Sequence, residues 1–218
     1  MLTIHSFVFS PIAENTYLLY NQQKDCIIID PGCYFDNERT QLENYIVQHQ
    51  LTPKYLLNTH CHLDHVFGNQ FVYDTWALQP YIHPNEQIML NNAALAGERW
   101  GLPFTNYNGT VHYIRGGEEI KLGEDVLTIL ETPGHSPGHV CFYCKAQHFI
   151  IGGDVLFRGS IGRYDLPGSN GPQLLKSIET QLLILPDETK VYPGHNQSTT
   201  IGFERKHNPY LQPGVGLA

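Results

Sequence analysis

A pattern of metal-ligand side chains, His-x-His-x-Asp-His, begins at His60 and places three imidazoles and one carboxylate within six positions. On an extended segment the side chains of His60 and His62 project to the same side, so they can bind one ion. If a helix begins near Asp64, the chain turns there, and Asp64 and His65 reach a neighbouring position. Imidazole and carboxylate groups are ligands for zinc, iron and manganese. The spacing therefore predicts a metal site in preference to a group of surface histidines on a polar turn.

Three further ligand-type residues stand where apolar runs meet Gly-rich turns: His135 in TPGHSPGH, Asp154 after IIGG, and His195 in YPGH. Catalytic residues are commonly carried by loops that a rigid scaffold positions. Because each of these residues follows a predicted strand, we expect them to converge with the His60 motif on one edge of a sheet sandwich.

The order of predicted elements is β-rich and then helical, twice over. The apolar runs TYLLY, from Thr16, and CIIIDPG, from Cys26, predict strands, the second of them buried on both faces. KYLLNTH predicts another buried strand that ends in the His60 motif, and β-rich sequence resumes at Val111. Helices are predicted at 36–50, 66–76, 84–99 and 172–185.

This order predicts one domain over residues 1–218, built from two αβ halves at roughly 1–110 and 111–218. Two such halves pack best with their sheets face to face and their helices outside. The sequence contains no short-period repeat, low-complexity tract or linker that would argue for a second domain.

Length and charge restrict the class of protein. A chain of 218 residues can bury roughly 70% of its unfolded surface without disulfides. The formal charge of −8, with 13 scattered Lys and Arg residues, disfavours a nucleic-acid partner. No apolar run approaches the roughly 20 residues of a membrane span, and the N-terminus lacks the basic start of a signal peptide. We therefore expect a cytoplasmic protein with no membrane partner.

The five cysteines favour reduced thiols over a disulfide framework. Cys141 and Cys144 form a C-x-x-C, but they lie in HVCFYCKA, which predicts a strand. Residues three apart on a strand point to opposite faces, so packing is favoured over a redox pair or a zinc knuckle. Cys61 lies between two candidate ligands and points away from them if the segment is extended, so we expect it to pack as well.

From ENTYLL and DPG to YPGH, the chain resembles the metallo-β-lactamase-fold hydrolases. Within them, GDVLFRGSIGRYDLPG and TTIGFERKHNPY look like the short bacterial glyoxalase II-like proteins, the hydroxyacylglutathione hydrolase group. The resemblance implies an α/β (α+β) fold, the four-layer αβ/βα sandwich, with a metal site along one edge. This fold agrees with the two halves predicted above.

The resemblance also implies two divalent metal ions, zinc first, with iron or manganese as alternatives. It makes Asp154 the bridging ligand and gives Asp64 a catalytic as well as a ligand role. The remaining ligands would be His60, His62 and His135 for the first ion, and Asp64, His65 and His195 for the second. Asp30, in DPG, is a candidate to orient a ligand imidazole, and a simple turn aspartate is the equal alternative.

The reaction implied is hydrolysis of a thioester of the S-lactoylglutathione type by a hydroxide that bridges the two metals. The partner would be a small anionic thioester. Arg163, nine positions after Asp154, stands where glyoxalase II enzymes contact the thiol-bearing part of the substrate, and Tyr164 is a candidate for the same pocket. Longer glyoxalase II enzymes recognise glutathione with a C-terminal helical domain. Only 23 residues follow His195, so the identity of the thiol stays open.

Other activities are compatible with the same motifs. A persulfide dioxygenase with one iron would use His62, His135 and Asp154 as a facial triad with open positions for O₂. A lactonase, another ester hydrolase or a β-lactamase would keep two metals and change the leaving group, since function lies in the site and not in the fold. Metals that only brace the fold are the least favoured reading, because structural zinc sites are usually closed and rich in cysteine.

Overall fold

The structure, a computed structural model, describes residues 1–212. The chain divides into two compact units, residues 1–114 with 121–125, and residues 115–120 with the chain from 126 onward. The single domain over 1–218 stays a prediction. In the described part of the chain, none of the helices is long and apolar enough to cross a bilayer.

The first unit is built on a six-stranded mixed sheet. Its strands are β1 Thr3–Phe9, β2 Glu14–Tyr20, β3 Asp25–Ile29, β4 Thr52–Leu57, β5 Pro80–Ile82 and β6 His112–Tyr113. They lie in sequence order across the sheet. The pairs β1/β2 and β2/β3 are antiparallel, whereas β3/β4, β4/β5 and β5/β6 are parallel. Parallel neighbours need crossover connections, which the helices of this unit supply.

The helices of the first unit are α1 Asp36–Gln48, α2 Leu63–Val66, α3 Asn69–Trp76 and α4 Gln87–Arg99, with a 3₁₀ turn at Pro84–Glu86. The prediction of one helix at 66–76 is therefore wrong at its start, since two helices meet at Phe67 and Gly68. The N–H of Gly68 donates to the carbonyl of Pro31 at 2.7 Å. This bond to a loop more than thirty residues earlier in the chain interrupts the helical ladder, and local periodicity does not reveal it.

The remaining strands are β7 Glu119–Leu122, β8 Asp125–Glu131, β9 Val140–Cys144, β10 Phe149–Gly153, β11 Leu156–Phe157, β12 Ser160–Ile161, β13 Lys190–Pro193 and β14 Thr199–Thr200. Six of them form a sheet in the order β14–β13–β10–β9–β8–β7, and β11 pairs with β12 in a two-stranded ribbon. The pair β10/β13 is parallel, so the carboxyl ends of these two strands meet at the same edge. The predicted strand through Cys141 and Cys144 is confirmed as β9.

The second unit contains α5 Gly171–Ser177, α6 Ile201–His207 and 3₁₀ turns at Lys145–Gln147 and Pro209–Leu211. The helix predicted at 172–185 ends early, because α5 passes into a π-helical turn at Ile178–Leu182. There the N–H of Leu183 bonds to the carbonyl of Ile178, five residues back, at 2.9 Å.

Each unit has its own apolar core. In the first, Phe9, Leu18, Ile28, Leu42 and Leu56 belong to a cluster that includes residues of β1–β4 and α1. In the second, residues of β9, β10, β13, α5 and α6 form another cluster, among them Cys141, Ile150, Leu174, Val191 and Ile201. The α/β class predicted from the sequence is confirmed. These cores fix the strand ends at which the candidate ligands lie.

Candidate metal centre

The His60 motif follows the end of β4, where the chain changes from extended to helical. His62 is extended, with φ −65° and ψ 153°, and α2 begins at Leu63, as the spacing predicts. The ring centroid of His60 lies 4.7 Å from that of His62 and 4.1 Å from that of His65. Oδ2 of Asp64 lies 3.8 Å from Nε2 of His65. The first unit thus brings together all four ligand-type side chains of the motif.

Asp30 holds the start of this segment. It follows β3 with a left-handed backbone, φ 49°, a conformation that a non-glycine residue adopts at a cost. Its Oδ1 accepts the N–H of Thr59 at 2.7 Å, and its Oδ2 accepts the hydroxyl of Thr59 at 2.6 Å. The same Oδ2 lies 3.1 Å from Nδ1 of His65. The structure therefore places Asp30 where it can orient a ligand imidazole, and that role stays a prediction.

Glu14 is a second buried carboxylate beside His65 that sequence reasoning missed. Its Oε1 lies 3.9 Å from Nδ1 of His65, and its Oε2 accepts the hydroxyl of Thr16 at 2.8 Å. Burial raises the pKa of the Glu14 carboxyl well above its usual value, although His65 opposes the effect. An added Cβ at Gly32 would collide with Oε2 of Glu14, so the Gly of DPG allows this close approach. An acidic residue at the start of the apolar run ENTYLL was the available signal.

Glu86 is the second residue that sequence reasoning missed. Its fully buried carboxylate accepts the N–H of Cys61 at 2.8 Å, and that N–H lies between two candidate ligands. The Cys61 side chain packs with Val66, Ile82 and Leu90, so the expectation that it packs is confirmed. Burial, and then Glu86, raise the pKa of the Cys61 thiol, which keeps it in the neutral form.

The second unit brings together the three other candidate ligands. Oδ2 of Asp154 lies 3.6 Å from Nε2 of His135 and 3.5 Å from Nε2 of His195. The three residues follow β8, β10 and β13, respectively. Because β10 and β13 are parallel neighbours, Asp154 and His195 leave the sheet at the same edge. His135 comes from the loop between β8 and β9, which crosses the same end.

The tautomer of His135 follows from its hydrogen bond. Its Nδ1 lies 2.8 Å from the carbonyl oxygen of Arg163. A carbonyl only accepts, so Nδ1 carries the proton and Nε2 keeps the lone pair. The lone pair is thus on the nitrogen that faces Asp154. Gly134, with φ 136°, permits the turn that precedes this ligand, because an added Cβ would collide with the backbone of Leu174.

The two predicted substrate residues lie on the loop that receives this hydrogen bond. The exposed guanidinium of Arg163 donates from Nε and from a terminal nitrogen to both carboxylate oxygens of Asp165, at 2.9 and 3.0 Å. This bidentate pairing lowers the pKa of Asp165. Tyr164 is half-buried and packs against the core cluster of the second unit. Substrate contact by Arg163 or Tyr164 stays a prediction.

The donor sets of both units suit divalent metals. The first unit offers three imidazoles and a carboxylate, and the second offers two imidazoles and a carboxylate. Nitrogen and oxygen donors of this kind bind zinc, iron and manganese. Carboxylates and carbonyls behind the ligand imidazoles fix the ring orientation in such sites, and Asp30 and the Arg163 carbonyl are placed to do so here.

Residues 10–195 match the sequence model of the metallo-beta-lactamase superfamily. The chain is 40% identical over 203 residues to the probable metallo-hydrolase YqgX of Bacillus subtilis, covering 92% of this chain and 93% of YqgX. It is 34% identical over 204 residues to the hydroxyacylglutathione hydrolase GloC of Haemophilus influenzae, covering 91% of this chain and 92% of GloC.

Two solved structures are similar throughout. The B3 metallo-beta-lactamase BLEG-1 superposes with a TM-score of 0.88 at 37% identity, over 96% of this chain and 99% of BLEG-1. TTHA1623 in a di-iron-bound form superposes with a TM-score of 0.86 at 37% identity, over 95% of this chain and 100% of TTHA1623. The chain therefore has the metallo-β-lactamase fold and belongs to the metallo-β-lactamase superfamily as a metallo-hydrolase.

Proposed function

We propose that the protein is a binuclear metallohydrolase that cleaves small anionic thioesters of the S-lactoylglutathione type. The observation that carries the proposal is the spacing of possible metal-ligand atoms around Asp154, whose Oδ2 lies 3.5 and 3.6 Å from two imidazole nitrogens. These separations are longer than the roughly 2.7–3.2 Å that is typical of a hydrogen bond. They are close to the roughly 3.4 Å that separates two ligands of a tetrahedral ion with bonds of about 2.0–2.1 Å.

In this proposal the ligands are assigned as the family resemblance implies. Asp154 would be the ligand shared by the two ions. The convergence of four ligand-type side chains at the end of β4 and of three in the second unit supports the assignment. His60, His62 and His135 would hold one ion, and Asp64, His65 and His195 the other.

Zinc is the proposed metal, with iron and manganese as the alternatives. The donor set contains only imidazole and carboxylate, which accepts all three. The di-iron form of TTHA1623 supports iron as the strongest alternative. Measurement of the metals that accompany the protein from its own host decides between them.

Divalent ions of this kind, when bound, lower the pKa of a water and polarise a carbonyl oxygen. The protein must supply the rest. Asp64, 7% exposed, is proposed to accept a hydrogen bond from the attacking water and so to orient it toward the acyl carbon. As the C–S bond breaks, the oxygen of water joins the acyl group, and its proton passes to the leaving thiolate. Atoms and charge then balance as a hydroxy acid and a free thiol.

Two features support an anionic thioester as the substrate. The relative GloC is named a hydroxyacylglutathione hydrolase and is 34% identical across most of both chains. Arg163 presents a fork of donors on an exposed loop, a geometry that fits carboxylates. A cytoplasmic enzyme with no nucleic-acid or membrane partner remains part of the proposal.

The test is release of free thiol from S-lactoylglutathione by protein whose metal content has been quantified. We expect rapid release by the wild type and a loss of at least about 100-fold in Asp64→Asn, because even groups behind the ligands contribute 10–100-fold. Asp74→Asn is the matched control, since Asp74 is an exposed carboxylate on α3. No release by protein that carries two metals would refute the thioester assignment and leave a metallohydrolase of another substrate.

Hydrolysis of a β-lactam is a second candidate, favoured by one comparison, the 37% identity with the B3 metallo-beta-lactamase BLEG-1. It keeps the same ligands and replaces the thiolate with the lactam nitrogen, which leaves as an amine when the C–N bond breaks. A chromogenic cephalosporin assayed beside the thioester ranks the two activities. Protein that carries a single iron and releases no thiol would instead call for measurement of oxygen uptake with glutathione persulfide.

A further inference from the structure

The loop that carries His135 is closed at its base by one pair of residues, Thr132 and His139. The N–H of Thr132 donates to the carbonyl of His139 at 2.8 Å. The hydroxyl oxygen of Thr132 lies 2.8 Å from Nδ1 of the His139 ring. Both residues are fully buried. The side chain of His139 thus holds the two ends of the His135 loop together.

The other ring nitrogen of His139 contacts a second ligand segment. The backbone N–H of Asp154 donates to Nε2 of His139 at 3.1 Å. An N–H group can only donate, so Nε2 is the acceptor and carries no proton. A neutral imidazole has its proton on the other nitrogen, and Nδ1 therefore donates to the Thr132 hydroxyl.

The hydrogen bonds continue from the Thr132 hydroxyl through Cys141 in the same donor-to-acceptor sense. The Thr132 hydroxyl lies 3.2 Å from Sγ of Cys141, and that thiol donates to the carbonyl of Gly152 at 3.4 Å. The bonds run from the N–H of Asp154 through His139, Thr132 and Cys141 to Gly152, two residues before Asp154. Every member is buried. Buried polar groups that satisfy one another in this way specify a single arrangement.

We propose that His139 is a positioning residue that holds the backbone of Asp154 and the His135 loop in register through a neutral, Nδ1-protonated imidazole. The inference rests on the proposed function in taking His135 and Asp154 as metal ligands. His139 itself uses both ring nitrogens in contacts with the protein, and its ring centroid lies 6.1 Å from that of His135. It acts through the ligands and does not join them.

Two substitutions separate the two nitrogens. His139→Gln places a carboxamide oxygen near the former Nε2, where it can accept the Asp154 N–H. His139→Asn keeps a polar group near Nδ1 and loses that acceptor. We expect zinc affinity, measured against a competing chelator, to fall about 10–100-fold in His139→Asn and to recover in large part in His139→Gln. His148→Asn is the matched control, since His148 is exposed in the same unit.

The unfolding temperatures of the same proteins test for a merely structural role. Such a role would lower both the unfolding temperature and the zinc affinity in both variants. The tautomer is read directly from the histidine nitrogen spectrum of zinc-loaded wild-type protein, in which Nε2 of His139 should be unprotonated. A protonated Nε2, or wild-type zinc affinity in His139→Asn, overturns the proposal. If neither variant folds, the nitrogen spectrum alone decides.

The outcomes also separate this inference from the proposed function. Protein with the expected tautomer and zinc affinities that releases no thiol retains the inference and loses the thioester substrate. Protein that releases thiol with Nε2 of His139 protonated retains the function and loses the inference.

Discussion

The two units present their candidate ligands in opposite ways. In the first, one six-residue segment carries four of them, and the change from strand to helix at Leu63 turns their side chains toward one another. In the second, His135, Asp154 and His195 follow three different strands. The parallel pairing of β10 with β13 and the closed His135 loop bring Oδ2 of Asp154 within 3.6 Å of both imidazole nitrogens. The first cluster is encoded locally, whereas the second depends on the fold.

The two clusters also differ in what supports them. A carboxylate, Glu86, holds the peptide N–H between two candidate ligands of the first. A neutral imidazole, His139, holds the N–H of a candidate ligand in the second. A carboxylate has acceptor sites on both oxygens and can accept hydrogen bonds from several donors. An imidazole whose two ring nitrogens are both in hydrogen bonds cannot form another. The second cluster should therefore be the more sensitive to small changes around it.

The largest expected effect is that of His135→Ala. Thiol release should fall at least about 100-fold, because even groups behind metal ligands contribute 10–100-fold. The free energy of unfolding of the metal-free protein should fall by only about 1 kcal/mol, the value of one hydrogen bond. The lost bond is the one to the Arg163 carbonyl, and the backbone of His135 still accepts the hydroxyl of Ser169 at 2.8 Å. Thiol release and denaturant titration measure the two effects.

His207→Ala is the control for this substitution, because His207 is an exposed histidine of the same unit. A His135→Ala protein that no longer unfolds cooperatively would contradict the prediction. It would show that the His135 side chain stabilises the fold of the second unit in addition to any role in the chemistry.

The next effect tests the support of the first cluster. Glu86→Ala leaves the buried N–H of Cys61 without its acceptor, which costs about 1–3 kcal/mol. Zinc affinity should fall by about 10–100-fold, as for other groups behind metal ligands. Glu86→Gln keeps an acceptor oxygen and should recover most of both losses. Denaturant titration and chelator competition measure them, with the exposed Glu98→Ala on α4 as the control.

If zinc affinity survives Glu86→Ala while stability falls, the segment positions its own ligands without Glu86. The two units would then differ more clearly, because the candidate ligands of the first would be positioned without Glu86.

This contrast explains what the sequence could predict. The ligand-type residues follow apolar runs, and those of the second unit stand beside glycines, so their place at strand ends was predictable from local pattern. Glu86 was not, because its partner Cys61 lies 25 residues away and nothing local marks the pair. The break at Gly68 was missed for the same reason, since the bond to Pro31 joins residues that are far apart in the sequence. Local periodicity reports helices and strands, and it is silent on long-range hydrogen bonds.

A third effect concerns the thiols, which also differ between the units. Cys33 lies in the apolar core of the first unit, whereas Cys141 takes part in hydrogen bonds. Burial raises the pKa of the Cys33 thiol to about 12, from 9.0. As pH rises, the Cys33 thiol therefore loses its proton in the unfolded state before it does so in the folded state. The contribution of the neutral, buried thiol to stability is complete below pH 9 and is lost toward pH 12. The loss is about 1.4 kcal/mol per pH unit in that window.

We therefore expect the stability advantage of the wild type over Cys33→Ala to shrink by about 2 kcal/mol between pH 8.5 and 10.5. Denaturant titration across that range measures it. Val72→Ala is the control, since it opens a cavity in the same cluster without removing a titrating group. A difference between wild type and Cys33→Ala that does not change with pH would refute the prediction.

The smallest effect concerns the loop that receives the His135 hydrogen bond. In the free protein both carboxylate oxygens of Asp165 accept from the Arg163 guanidinium, so an anionic substrate that binds Arg163, as proposed, would compete with this internal partner. Asp165→Asn weakens that partner, and KM for S-lactoylglutathione should fall about two- to fivefold, the scale of exposed ion pairs. KM for an uncharged thioester should not change, and the gain should diminish as salt screens the charges. If KM instead rises in Asp165→Asn, the carboxylate holds Arg163 in its binding position and does not compete with the substrate.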